Sequence, residues 1–188
     1  MGKRSDFKRN PRDFYPTPLS AVLPLLPFVE GQFFYEPCAG DGALVDHLEA
    51  SGIRCTGMSD IVPLRNDIMP MDAMDYQYDS HSTDIIITNP PWERQAKVEI
   101  DGKNKILPDD QQPLLMLIEH FRKQAPTWLL LDADFKHTVK GARYMKYCSK
   151  VVSVGRVKWI EGSKHTGKDN CAWYLFGDTE CETVFIAR

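Results

Sequence analysis

Residues 32–52 read QFFYEPCAGDGALVDHLEASG, and three local signals follow one another along them. The aromatic run Phe33-Phe34-Tyr35 favours a strand, and Pro37 ends it. AGDG (39–42) is a glycine turn. In ALVDHLEASG, Ala43, Leu44 and Leu48 fall at helical spacing, and Gly52 supplies a stop. RCTGMSD (54–60) reads as a second strand ending in an acid. DIIITN (84–89) reads as a third, hydrophobic enough to be buried on both faces. PLLMLIEHFRKQ (113–124) predicts a helix, TWLLLDADF (127–135) a strand and HTVKGARYMKYC (137–148) a weaker helix. Strands alternating with helices imply right-handed crossovers and a mainly parallel sheet. KVVSVGRVKWI (150–160) and CAWYLF (171–176) follow each other with no helix between, so an antiparallel hairpin is expected at one edge. TVFIA (183–187) reads as a closing edge strand. The expected fold class is α/β: one doubly wound, mostly parallel sheet with an antiparallel edge hairpin.

The flanks are less regular. Residues 1–18 are polar, basic and punctuated by Pro11, Pro16 and Pro18, which predicts an extended N-terminal arm. SAVLPLLPFV (20–29) predicts a short helix from near Ser20 that stops before Pro27. The domain proper is expected over 19–188. Residues 93–111 (ERQAKVEIDGKNKILPDDQ) are polar without a persistent period and read as a long inserted loop, a kind of segment that is usually functional or disordered. No separate target-recognition domain is expected.

At 188 residues, 43% hydrophobic and 26% charged, the chain is in the range of one soluble domain. No apolar run is long enough for a membrane span, and the basic N-terminus has no apolar stretch behind it, so a cytoplasmic location is expected. Five cysteines without a C-x-x-C pair argue for free thiols, and no metal site is expected. The net charge of −3 is unevenly spread. Residues 30–92 carry eleven acids against Arg54 and Arg65, whereas residues 136–168 carry nine basic residues against Glu161 alone. That second segment (Lys136, Lys140, Arg143, Arg156, Lys158, Lys164 and Lys168 among its cations) is a candidate polyanion surface; the alternative is a solvated helix face with lysines guarding an edge strand.

The candidate chemistry lies at the strand tips. Glu36, at the end of the first strand, precedes Gly40 and Gly42, where a ligand can approach the backbone beside a helix N-terminus. An acid there suits a cationic or hydroxylated ligand better than a pyrophosphate. Asp60, at the second tip, is placed to reach ribose hydroxyls. Asp72 is a candidate for an adenine amine, with Asp67 and Asp75 competing. At the third tip, Asn89-Pro90-Pro91-Trp92 forms a turn with two residues that have no backbone N–H. The Asn89 side-chain oxygen and the Pro90 carbonyl can both accept from one amino group, and Trp92 offers a face for a planar ring.

DFYPTP (13–18), EPCAGDG (36–42) and TNPPW (88–92) resemble motifs of the S-adenosylmethionine-dependent amino methyltransferases, most nearly the small phage-type DNA adenine-N6 methyltransferases. The resemblance spans about residues 13–92, with a weaker echo in 155–176, and implies a Rossmann-like class I methyltransferase fold. It implies S-adenosyl-L-methionine as cofactor, with Tyr15 and Thr17 at its methionine end and Glu36, Ala39, Gly40 and Gly42 along its amino acid and sugar. Asp60 would hold the ribose, Ile61 would lie beside the adenine, and Asp72 and Ala73 would meet the adenine edge. Asn89, Pro90, Pro91 and Trp92 would form the target-amine site. The implied partner is nucleic acid, DNA before RNA, with a protein partner or a second copy supplying target recognition. Cytosine N4, RNA adenine or a protein glutamine are alternative amines, and a non-catalytic cofactor-binding subunit is an alternative role.

Overall fold

The computed structural model describes residues 15–79, 81–92, 97–100, 103–160, 162 and 166–188. Its centre is an eight-stranded sheet in the order β10-β8-β9-β7-β4-β1-β2-β3. The strands are β1 (Phe33–Glu36), β2 (Arg54–Asp60), β3 (Met69–Pro70), β4 (Ile85–Thr88), β7 (Thr127–Asp132), β8 (Cys148–Arg156), β9 (Asn170–Phe176) and β10 (Val184–Ile186). Strands β3, β2, β1, β4 and β7 are mutually parallel. β9 runs antiparallel between β7 and β8, so β8 again points the same way as β7. The antiparallel pair is therefore one strand in from the edge, which β10 forms by pairing parallel to β8.

Alternation along the central strands explains why both faces are covered. Ile85 and Ile87 join Trp128, Leu130 and Trp173 on the face packed by α1 (Leu19–Val22) and α2 (Ala43–Ala50). On the opposite face, Leu129, Leu131 and Tyr174 meet α3 (Pro113–Arg122), and Ile86 meets its Leu117 and Phe121. In α3, Pro113 occupies the first turn, where its missing N–H has no consequence, and Leu114, Leu117, Ile118 and Phe121 form one buried stripe. The weaker helix α4 (Val139–Met145) starts at Thr138, whose hydroxyl accepts from Gly141 N at 2.9 Å.

Two sequence expectations change. The N-terminal helix ends at Val22, ahead of Pro24, and Pro27 lies inside a separate 3-10 turn, Leu26–Phe28, rather than marking the helix end. The polar stretch 93–111, expected as a loop, contains β5 (Lys97–Ile100) and β6 (Lys103–Ile106), an antiparallel ribbon with Ile100 opposite Lys103, followed by a 3-10 turn at Asp109–Gln111. Asp101-Gly102 between alternating residues is the sequence signature of such a hairpin. Among the described residues no helix is long and apolar enough to cross a membrane.

Candidate active site

The chain order reverses between β1 and β4: β2 and β3 extend to one side and β7 to the other. A crevice outside the carboxyl ends of parallel strands at such a point is the expected ligand site of an open α/β sheet. Glu36, Asp60 and Thr88 stand at the carboxyl ends of β1, β2 and β4.

Glu36 is 1% exposed. Its Oε1 accepts from Cys38 N at 3.0 Å, while Oε2 is buried without a hydrogen-bond partner. Burial pushes its carboxyl up to about 8; the Thr88 hydroxyl and the Cys38 amide favour the charged form, and the Asp60 charge opposes it. The Thr88 hydroxyl lies beside this carboxyl without closing a hydrogen bond of normal geometry. Thr88 Oγ1 and Ser59 Oγ are likewise buried and unpartnered. Three orphaned polar atoms on three neighbouring strand ends are the arrangement a polar ligand would complete.

The glycine turn is held from the second strand. Asp60 Oδ2 accepts from Gly40 N and Oδ1 from Val62 N, both at 2.8 Å, so this acid organises the turn. Ala39 N donates to Ser59 O at 2.9 Å. Gly40 and Gly42 have φ of 56° and 81°, the left-handed region that a side chain disfavours. Gly42 has a further reason to be bare: a Cβ there would lie 2.7 Å from Cζ of Arg65. Gly42 thus also makes room for an arginine. Ile61 is 65% exposed beside Asp60. Asp72 is exposed and caps the following 3-10 turn by accepting from Met74 N at 2.9 Å, with Ala73 buried behind it.

At the third tip, Asn89 Nδ2 donates to Thr17 Oγ1 at 3.1 Å. Thr17 is buried, and this bond leaves the Asn89 oxygen as an acceptor. Pro90 is buried and Pro91 exposed. Trp92 is half-buried; its indole N–H donates to Leu130 O at 2.8 Å, and its ring packs at the end of the sheet against both large core clusters. Its ring lies perpendicular to that of Trp159 at 5.5 Å between centroids, and the Trp159 ring in turn lies 6.3 Å from that of Tyr15. Trp159 was not among the residues picked out in the sequence. Its signal was an aromatic inside a run of cations, RVKWI (156–160). Gly167 allows the return of this connection: its N–H donates to Val157 O at 2.7 Å, and a Cβ there would meet the Trp159 ring at 3.0 Å.

The basic residues fall into two groups. Lys140 and Arg143 bind Asp109 at 2.9 and 2.7 Å, and Lys136 Nζ donates to Ala133 O at 2.7 Å, so these three carry structural contacts. Arg156, the last residue of β8, and Lys158 and Lys168 on the β8–β9 connection are exposed, and the connection leaves the same sheet edge as the strand tips above. Lys164 lies outside the described residues. Among the described residues no cluster of His, Cys, Asp and Glu suited to a metal occurs.

No protein-family model and no curated protein matches the sequence. Solved structures do match in fold. A protein described as a modification subunit of a type I restriction enzyme, from Vibrio vulnificus, aligns with a TM-score of 0.58 at 13% identity, covering 93% of this chain and 47% of its own. A protein described as a class I S-adenosylmethionine-dependent methyltransferase, from Listeria monocytogenes, aligns at 0.53 and 10% identity, covering 89% and 64%. A dimethyladenosine transferase from Plasmodium falciparum aligns at 0.51 and 13% identity, covering 87% and 63%. The chain thus spans between about half and two thirds of these proteins. The fold of this chain is the one they share: a single mixed sheet, mostly parallel, flanked by helices, as in class I methyltransferases.

Proposed function

We propose that the protein is an S-adenosyl-L-methionine-dependent methyltransferase acting on the exocyclic N6 amine of adenine in DNA. The observation that carries this reading is the row of buried unpartnered atoms, Glu36 Oε2, Ser59 Oγ and Thr88 Oγ1, running up to the Asn89-Pro90-Pro91-Trp92 turn. The residues fit the cofactor. Glu36 would receive its ammonium, Asp60 its ribose hydroxyls and the exposed Ile61 its adenine face. Asp72 would meet the adenine amine, and Tyr15, Thr17, Ala39, Gly40, Gly42 and Ala73 would complete the surroundings.

When bound, the cofactor supplies a methyl group made electrophilic by its sulfonium. The chain supplies the geometry for attack. An exocyclic adenine amine is a poor nucleophile because its lone pair is delocalised into the ring. Asn89 Oδ1 and the Pro90 carbonyl accept its two N–H groups and draw the nitrogen toward tetrahedral geometry, which localises the pair. Neither Pro90 nor Pro91 brings an N–H to compete for these acceptors. Thr17 holds the amide with its oxygen toward the amine. This is positioning and electrostatic stabilisation, with the displaced proton lost to solvent after the new bond forms. Trp92 and Trp159 frame the target ring, which a duplex must release from its stack. Arg156, Lys158 and Lys168 lie beside this frame and would hold phosphates.

The test is transfer of a tritiated methyl group from S-adenosylmethionine to duplex DNA, single-stranded DNA, RNA and protein in parallel, followed by identification of the labelled group. N6-methyladenine in DNA is the expected product. Label in another amine would overturn the assigned target. Cofactor binding without transfer to any of the four would overturn the assignment as an enzyme in favour of a binding subunit.

A further inference from the structure

The segment 61–68 joins β2 to β3 over the glycine turn, and it carries a surface that solvent would ordinarily destabilise. Ile61, Val62 and Leu64 are 65, 40 and 60% exposed. One backbone bond, Leu64 N to Gly40 O at 2.9 Å, ties this segment to the turn. Asp60 bridges the same two stretches by accepting from Gly40 N and Val62 N, and Ile68 is buried at the far end. Arg65 adds a side-chain attachment. Its Nη1 sits between both Asp46 oxygens at 2.7 and 2.8 Å, and its Nε and Nη2 form a second fork with Asp67 at 3.0 and 2.6 Å. Nη1 also faces Asp41 O at 3.4 Å. The guanidinium rests on the bare Cα of Gly42, where any side chain would displace it.

A lone surface ion pair contributes little. Here a planar cation is shared between two carboxylates from different elements and seated on a fixed backbone, which is where a fork-shaped donor outperforms a point charge. Asp46 lies in α2 and Asp67 in the 61–68 segment, so the arginine joins the helix after the glycine turn to the wall beside Asp60.

We propose that Arg65 is a positioning residue of the cofactor site: seated on Gly42 between Asp46 and Asp67, it fixes the 61–68 wall against the glycine turn so that Asp60 and Ile61 meet the ribose and adenine in one geometry. This rests on the cofactor reading given above. Arg65 acts through those two residues and touches neither the methyl group nor the target amine.

The experiment measures binding of S-adenosylhomocysteine by calorimetry, and steady-state methyl transfer, for the wild type, R65A, R65K, G42A and D67N, with thermal midpoints as a check on folding. R65A is expected to weaken binding about tenfold and G42A at least as much, since it also strains a left-handed backbone position; the R65A/G42A double variant should be no worse than G42A alone, because the guanidinium is already unseated there. The rate at saturating cofactor is expected to stay within about threefold of wild type, the mark of lost binding geometry rather than lost chemistry. R65K is expected to recover little, since an ammonium cannot form both forks. D67N, an exposed change, is expected to show a smaller loss of the same kind. Wild-type binding matched within about twofold by both R65A and D67N would overturn the role of Arg65 and leave the cofactor reading standing. No binding by the wild type would instead overturn the cofactor reading, and the role of Arg65 with it.

Discussion

The Asn89 amide donates to the Thr17 hydroxyl at 3.1 Å, joining positions 72 residues apart. A carboxamide turned the other way would present N–H groups where the target amine needs an acceptor. The polar arm residue and the turn after β4 therefore form one device, and its two halves can be separated by mutation. Asn89→Ala is expected to lower the transfer rate by at least about a hundredfold while S-adenosylhomocysteine binding stays within about threefold. Thr17→Val is expected to reduce the rate by about tenfold, since the acceptor remains but its orientation loosens. Near-normal turnover in Asn89→Ala would remove the basis for the mechanism.

Glu36 gives a pH signature. In the folded, ligand-free protein its carboxyl is held neutral up to about pH 8 by burial, whereas the unfolded chain ionises it in the ordinary carboxylate range. The folded state therefore binds more protons over that interval. The stability from this group is full below the ordinary carboxylate range and declines as pH rises toward 8. Cofactor affinity runs the opposite way, because a ligand ammonium favours the carboxylate: binding should tighten toward pH 8 and release a proton at neutral pH. Glu36→Gln should flatten the pH dependence of the thermal midpoint and bind weakly at every pH. A dissociation constant for S-adenosylhomocysteine that does not change between about pH 6 and 8.5 would contradict the assignment.

The paired indoles predict a selective defect. Trp159→Ala removes the perpendicular contact with Trp92 and opens one side of the frame around the target ring. The expected result is a rise of about tenfold in KM for nucleic acid, in line with about 1–3 kcal/mol per stacked base. Cofactor affinity should not change. Steady-state kinetics with each substrate varied in turn separates the two.

Salt dependence tests the basic connection. Nucleic-acid affinity should fall steeply with ionic strength, and Arg156, Lys158 and Lys168 should account for much of the slope. Replacing all three with Gln should flatten the log–log salt slope by about 2–3 for duplex DNA. Replacing Lys140 and Arg143, which already bind Asp109, should change the slope less and thermal stability more. Fluorescence anisotropy with a labelled duplex at four salt concentrations is sufficient.

Much of the architecture is legible locally. RCTGMSD is a strand along its whole length in the structure, and IIIT is buried at every position, as an unbroken apolar run in a doubly covered sheet should be. The ribbon strands are obscured because only Lys97-Val98-Glu99-Ile100 alternates, for four residues, while Lys103-Asn104-Lys105 is polar throughout; Asp101-Gly102 is the remaining mark in the sequence. The place of β9 inside the sheet is written in CAWYLF, which has no polar position to turn toward solvent. At the site, Glu36, Asp60 and Asn89 are visible because an acid or amide at a strand tip is chemically conspicuous. Arg65 and Trp159 are not, because each gains its meaning from a contact distant in sequence: a glycine that leaves room, and a perpendicular indole.

The reversed direction of β9 has an evolutionary consequence. Because β8 and β7 run the same way and β9 returns between them, the connection from Val157 to Asp169 leaves the sheet and re-enters it on the edge that carries the proposed target site. Lengthening such an excursion leaves every ladder bond in place, and its entropic penalty grows only with the logarithm of its length. The β8–β9 connection is thus a place where the chain can gain length without rebuilding the sheet.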